Sequence, residues 1–171
     1  MARSGARSVQ RAFLALVAIG IIAGVAFGMW SLRPTPSYSS EDLTAGSPFD
    51  LTFRAENKNP WFALSNLKIS CVLASVRASG IPPTLIDAND VRFLTSNASG
   101  LAPGESATFT CPFRTLIGHP INDDPAIAQR AEIYFRSEYD LQLFGSFRIT
   151  DNSAHFVLNT RLLPPRWTSK P

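Results

Sequence analysis

Residues 106–113, Ser-Ala-Thr-Phe-Thr-Cys-Pro-Phe, set Ala107, Phe109, Cys111 and Phe113 against Ser106, Thr108, Thr110 and Pro112. Strict alternation of this kind marks a half-buried strand, because successive side chains leave an extended chain on opposite faces. The same period recurs to either side. Phe49, Leu51, Phe53 and Ala55 alternate with Asp50, Thr52, Arg54 and Glu56; Leu67, Ile69, Cys71 and Leu73 alternate with Lys68, Ser70 and Val72. Ala131, Ile133 and Phe135 alternate with Glu132, Tyr134 and Arg136, and Leu141, Leu143, Phe147 and Ile149 share one face opposite Gln142, Ser146 and Arg148. Two further strands fall near 91–95 and 154–160. Turn formers divide them: Asn57-Lys58-Asn59-Pro60, Ser79-Gly80, Ala102-Pro103-Gly104 and Asn122-Asp123-Asp124-Pro125. The helical signal is confined to 124–129, with Asp124 as N-cap and Pro125 at the first position. About seven short strands within the roughly 118 residues from 48 to 165 predict an all-β fold of two packed sheets.

Three pieces of this pattern resemble bacterial extracytoplasmic immunoglobulin-like modules. They are Phe53-Arg54-Ala55-Glu56-Asn57, the strand Leu67–Leu73, and Leu101-Ala102-Pro103-Gly104-Glu105-Ser106-Ala107-Thr108-Phe109. In such modules a strand ends in Asn and a later L-x-P-G-E-S-x-T-F turn opens another. The likeness covers about half of the domain and implies an immunoglobulin-like two-sheet sandwich, serving as an adhesion, scaffold or assembly module. It is a likeness of architecture rather than of antibody lineage. Phe109, not Tyr, stands two residues before Cys111, and no core Trp lies between the cysteines.

Upstream, Phe13 to Leu32 are twenty positions without a charge. As a helix they reach roughly 30 Å, the thickness of a bilayer's hydrocarbon core, so a transmembrane helix is expected over 13–32. Arg3, Arg7 and Arg11 precede it without an acidic residue, which keeps the arm 1–12 in the cytoplasm and the remainder outside. Trp30 falls where an amphipathic ring suits the outer interface. The rival reading is a cleaved signal peptide with Gly24-Val25-Ala26 at its end, releasing a secreted domain. The apolar run continues through Phe27, Met29 and Trp30, which favours an uncleaved anchor. Gly20, Gly24 and Gly28 recur every four residues and stack on one helix face, where a second helix can approach closely. Residues 33–47, rich in Pro, Ser and Thr, read as a solvated linker, and 166–171 as a tail.

The net charge of +3 belongs to the membrane flanks. With Arg3, Arg7, Arg11 and Arg33 set aside, twelve basic residues face thirteen acidic ones. That balance excludes a nucleic-acid footprint. Cys71 and Cys111, the only cysteines, both fall on inward faces, and an even count on the oxidising side of a membrane predicts a disulfide. Closing a loop of that length stabilises a fold by roughly 4 kcal/mol on the chain-entropy model. A copper or zinc site would have to use Cys71, Cys111, His119 and His155, yet no ligand-pair spacing is present. His155 reads as outward-facing. Asp87, Asp90, Asp123 and Asp124 lack a calcium-loop pattern, and neither a nucleophile elbow nor a phosphate loop occurs. No cofactor and no catalytic residue are therefore expected.

Phe144, with Tyr134 and Tyr139 near it in sequence, and Trp167 in the apolar tail are candidates for an exposed interaction surface. Trp61 and Phe62 are read as closing one end of the sandwich. Together these features predict a non-catalytic, single-pass protein of a bacterial inner membrane with a periplasmic domain. Its expected partners are the bilayer, other envelope proteins or a second copy of itself, in a scaffold or assembly role. The alternative is a periplasmic metal-handling or redox assembly factor acting through Cys71 and Cys111.

Overall fold

Twelve residues in one strand, Ala131–Gln142, keep the period of two without a break: Ala131, Ile133, Phe135, Ser137, Tyr139 and Leu141 are buried and their neighbours are not. This strand is the spine of the larger of two sheets in the computed structural model. Residues 3–76, 86–88, 92–93, 100–113, 125–142 and 146–170 are described. The chain divides into two units, Met1–Arg33 and Pro34–Pro171.

The first unit is one helix, α1 (Arg3–Ser31). Pro34 and Pro36 stop it, since proline lacks the donor a helix needs. Ser31 closes the last turn by donating to the Phe27 carbonyl at 2.9 Å, and the Arg33 guanidinium lies 4.6 Å from the centre of the Trp30 ring. Large apolar side chains such as Leu16, Ile22 and Phe27 stand exposed on it. Among the described residues no helix is long and apolar enough to cross a membrane. The transmembrane helix expected over 13–32 therefore finds no support in α1.

The second unit is two antiparallel sheets. The strands are β1 (Pro36–Ser40), β2 (Thr52–Asn57), β3 (Leu64–Val76), β4 (Ile86–Ala88), β5 (Arg92–Phe93), β6 (Gly100–Leu101), β7 (Ser106–Thr110), β8 (Ala131–Gln142), β9 (Ser146–Asn152), β10 (Phe156–Asn159) and β11 (Arg166–Ser169). One sheet runs β1-β2-β7-β5 and the other β11-β10-β8-β3-β4, with β9 on β8 and β6 on β3. A one-turn helix, α2 (Pro125–Ala128), falls where the Asp-Pro signal placed it. Between the sheets Phe53 of β2 meets Phe135 of β8 at 5.0 Å between ring centres, and Phe109 of β7 meets the same ring at 5.3 Å. Each buried phenylalanine stabilises the fold by about 1.5–3 kcal/mol, and each ring pair adds about 0.5–1.5 kcal/mol.

The segment 33–47 differs from the expected linker. Pro36–Ser40 pairs along its whole length with Phe53–Asn57. A short, polar strand suits a sheet edge because its backbone, not its side chains, makes the contact. Tyr38 turns inward, sharing a hydrogen bond with the Ser137 hydroxyl, and burial pushes its phenol well above the usual range. The tail 166–171 differs in the same way. β11 pairs with β10, and Trp167 is buried, donating its indole N–H to the Pro48 carbonyl at 2.9 Å. Ser40 joins the two edges: its hydroxyl accepts from the Trp167 N–H at 2.9 Å and donates to the Trp167 carbonyl at 3.1 Å.

Asn57, at the end of β2, is fully buried. Its amide donates to the carbonyls of Phe62, Leu101 and Ala102 at 2.9, 3.2 and 3.2 Å, and its side-chain oxygen accepts from the Asn59 N–H at 3.1 Å. Its own backbone N–H donates to Glu105 and its carbonyl accepts from Gly104, which holds φ +75° as the turn requires. Glu105 folds back to accept from the Ala102 N–H at 2.8 Å. The two motifs that resemble immunoglobulin-like modules, the strand ending in Asn and the Pro-Gly-Glu turn, are thus one hydrogen-bonded unit. Replacing Asn57 by Ala removes these hydrogen bonds, the buried one to the Leu101 carbonyl among them, and should cost about 1–3 kcal/mol, and Asn57→Asp more, since a carboxylate would face those carbonyls. Urea unfolding of both variants checks this; an Asp variant as stable as the parent contradicts it.

Candidate functional site

Cys71 leaves β3 on its inward face and Cys111 follows β7 in the opposite sheet. Their Cα atoms are 5.8 Å apart and the sulfurs are bonded. The bridge joins the two sheets inside the core, with Cys71 fully buried and Cys111 nearly so. Neither sulfur is free or reachable, so the pair has the form of a structural link. Thiol exchange needs an accessible sulfur and an attacking thiolate.

The outer face of β8 carries most of the charge in this region. Glu132 accepts from Lys170 and lies 3.2 Å from Nδ1 of His155, whose ring stacks on Tyr134 at 5.2 Å and 7°. Lys170, and then His155, hold the Glu132 carboxyl below its usual range. Further along, Arg148 of β9 bridges Asp140 at 3.0 Å and Glu138 at 3.3 Å. Asn66 donates to Asp140 at 2.6 Å from a left-handed backbone (φ 50°) at a register shift in β3. Asn66, followed by Arg148, lowers the Asp140 carboxyl, and Asp140 raises the Arg148 guanidinium. Each of these carboxylates is matched by a cation or amide. General acid–base work asks for a carboxyl shifted upward by burial or by a like charge, and Glu132 and Asp140 are shifted the other way.

A shallow hollow of about 320 Å³ opens beside this face, lined by Ser75, Gln129, Arg130, Glu132, Val157 and Lys170. Its carboxylate is already engaged. Among the described residues no group of three His, Cys, Asp or Glu side chains could hold a metal ion. His155 is outward-facing and exposed, as its position beside Phe156 implied. His119, Asp90, Asp123 and Asp124 lie outside the described residues.

Of the expected surface residues Phe144, Tyr134 and Trp167, the last is not exposed. Trp167 belongs to the core, Tyr134 is half-buried in the charged face, and Phe144 lies outside the described residues. Tyr139 is fully buried, with its hydroxyl donating to the Pro34 carbonyl at 2.6 Å. Trp61 also departs from expectation. Phe62 packs against the core, but Trp61 is 75% exposed. The side-chain oxygen of Asn59 accepts from both of their N–H groups, at 2.8 and 2.9 Å, and this small loop turns the two rings apart. Phe147 lies opposite the buried Leu141 in the ladder, yet it too is exposed. On α1, a methyl group added at Gly20, Gly24 or Gly28 would meet nothing within 4 Å.

Because the folded pKa of Glu132 is depressed, its contribution is present above the ordinary glutamate value of about 4.3 and is lost as pH falls through the folded value. Glu132→Gln should cost under about 1 kcal/mol at pH 7, less in high salt, with variant and parent converging in acid. Denaturant midpoints across pH check this; a difference constant with pH contradicts it.

No family model matches the chain, and no curated protein matches it.

Proposed function

We propose that the chain is a non-catalytic, single-pass protein of a bacterial inner membrane. Its helix spans the bilayer with the N-terminus in the cytoplasm, and its periplasmic immunoglobulin-like sandwich is a scaffold or assembly subunit of an envelope complex. The observation that carries this reading is the buried bridge between Cys71 and Cys111, a structural link of the kind that persists in oxidising compartments. It follows an uncharged stretch of membrane length flanked by Arg3, Arg7 and Arg11. Strand order supports the immunoglobulin-like assignment. β1-β2-β7-β5 follows the A-B-E-D order of that architecture, and β10-β8-β3-β4 follows G-F-C with an added C′ strand. The bridge joins the third strand to the end of the E-like strand, not B to F as in antibody domains.

A metal-handling or redox role through Cys71 and Cys111 has less support, since both sulfurs are bonded and buried. The glycine face of α1 supports a helix partner, because Gly20, Gly24 and Gly28 recur every four residues and permit close approach.

Crosslinking in intact membranes, followed by mass spectrometry of what co-purifies, tests the reading. Defined envelope partners or a second copy should be captured, and Gly24→Ile should abolish capture through the helix, since the added side chain has free room in the isolated helix. Loss of all partners on removal of 34–171 would assign the remainder to the sandwich. Absence of any crosslink in the parent protein would contradict a scaffold role.

A further inference from the structure

β9 and β10 run end to end along one side of β8, with Asn152 opposite Arg136 and Phe156 opposite Ile133. β11 covers the outer edge of β10, and a bond from the Lys170 N–H to the His155 carbonyl carries that cover to the end of the described chain, short of β9. Among the described residues β9 pairs with β8 alone.

Phe135 shows which way the ladder faces. Its carbonyl accepts from the Ser153 N–H at 2.8 Å and its N–H donates to the Ser153 hydroxyl at 2.9 Å, so its backbone turns toward the β9 side. Alternate residues of a strand turn both backbone groups to opposite neighbours. Ser137, Tyr139 and Leu141 therefore also face β9, and Asp151, Ile149 and Phe147 lie opposite them. The backbone groups of Ser146, Arg148, Thr150 and Asn152 point the other way, out of the sheet edge. The Asn152 N–H is met by the Asp151 carboxylate at 3.1 Å. Those of Arg148 and Thr150 meet no strand among the described residues.

The other edges are closed or short. β1 and β11 are joined through Ser40 and Trp167, while β4 has three residues and β5 two. β9 has seven, Ser-Phe-Arg-Ile-Thr-Asp-Asn, without the proline or lysine that usually blunts an edge. Phe147 shares the face of the buried Ile149 and lies opposite the buried Leu141, yet it is 59% exposed. An open backbone edge and an uncovered core-facing ring thus fall on the same strand.

We infer that β9 pairs antiparallel with β9 of a second copy across a two-fold axis, joining two sandwiches into one continuous sheet. The strand fits itself. The register that pairs all seven residues sets Ile149 against Ile149, Arg148 against Thr150 and Phe147 against Asp151. No like charges then stand directly opposite, whereas moving the centre to Arg148 would oppose two guanidinium groups. The two-fold closes both open edges at once, which a foreign strand would not. The inference concerns the sandwich alone and does not depend on 13–32 spanning a bilayer.

Sedimentation of the full chain in detergent tests it, in a Gly24→Ile background so that helix contacts are not counted. The protein should run at twice its monomer mass. Thr150→Pro removes an outward N–H and leaves the β8 ladder intact, so it should keep the fold and weaken self-association about tenfold or more, one donor being lost on each copy. Copies carrying Arg148→Cys, mixed with copies carrying Thr150→Cys and oxidised, should form a disulfide dimer, since facing Cα atoms in such a pair lie about 5.5 Å apart. A monomer at every concentration, or a dimer undiminished in Thr150→Pro, overturns the inference. So does capture of a different protein that Thr150→Pro abolishes, which would give the edge to a foreign strand. A dimer lost in Thr150→Pro without the mixed crosslink overturns the register.

Discussion

Two sheets with one apolar face each have no stability apart, and in this chain the contact between them is held by a covalent tie set among aromatic rings. Cys71 sits on β3 and Cys111 just beyond β7, so the bridge crosses from one sheet to the other, while Phe53, Phe109 and Phe135 fill the core between the sheets. Everything else is arranged around that contact. Tyr38 reaches in from the edge to meet Ser137, and Trp167 closes the other edge through Ser40 and Pro48. Asn57 ties the turns at one end into a single unit.

The strands with strict alternation were legible because each carries its own record of burial. β7, the middle of β3 and the first half of β8 stand where the period placed them, and the disulfide follows from Cys71 at an inward position of β3 and Cys111 continuing the inward face just beyond β7. The rest was hidden for identifiable reasons. Ser137 is a polar residue at an inward position of β8, so the pattern broke there although the strand did not; its hydroxyl is satisfied by Tyr38, a partner 99 residues away. β1 is nearly all polar because an edge strand is held by its backbone ladder. β11 looked like a tail because Trp167 finds its partner, the Pro48 carbonyl, far along the chain. Trp61 and Phe62 are adjacent and alike in sequence, and only the Asn59 loop decides which of them is buried.

Function was less legible than fold, for a physical reason. The charged side chains of the outer face neutralise one another: Glu132 with Lys170 and His155, Asp140 and Glu138 with Arg148. On this face the Glu132 and Asp140 carboxyls are held down by their partners, the opposite of what general acid–base work asks for. What remains uncommitted are surfaces. Trp61 and Phe147 stand exposed on the sandwich, and Gly20, Gly24 and Gly28 leave open space along one face of α1. The inter-sheet bridge stiffens the sandwich.

The most direct test of this account is the redox state of Cys71 and Cys111 in the living cell. Cells are quenched with acid, the protein is denatured, and its thiols are tagged with a maleimide-polyethylene glycol, with and without prior reduction. An oxidised bridge and an extracytoplasmic domain predict no tag before reduction and two after it. Two tags without reduction would mean that the domain folds in a reducing compartment, and would contradict both the bridge and the topology built on it.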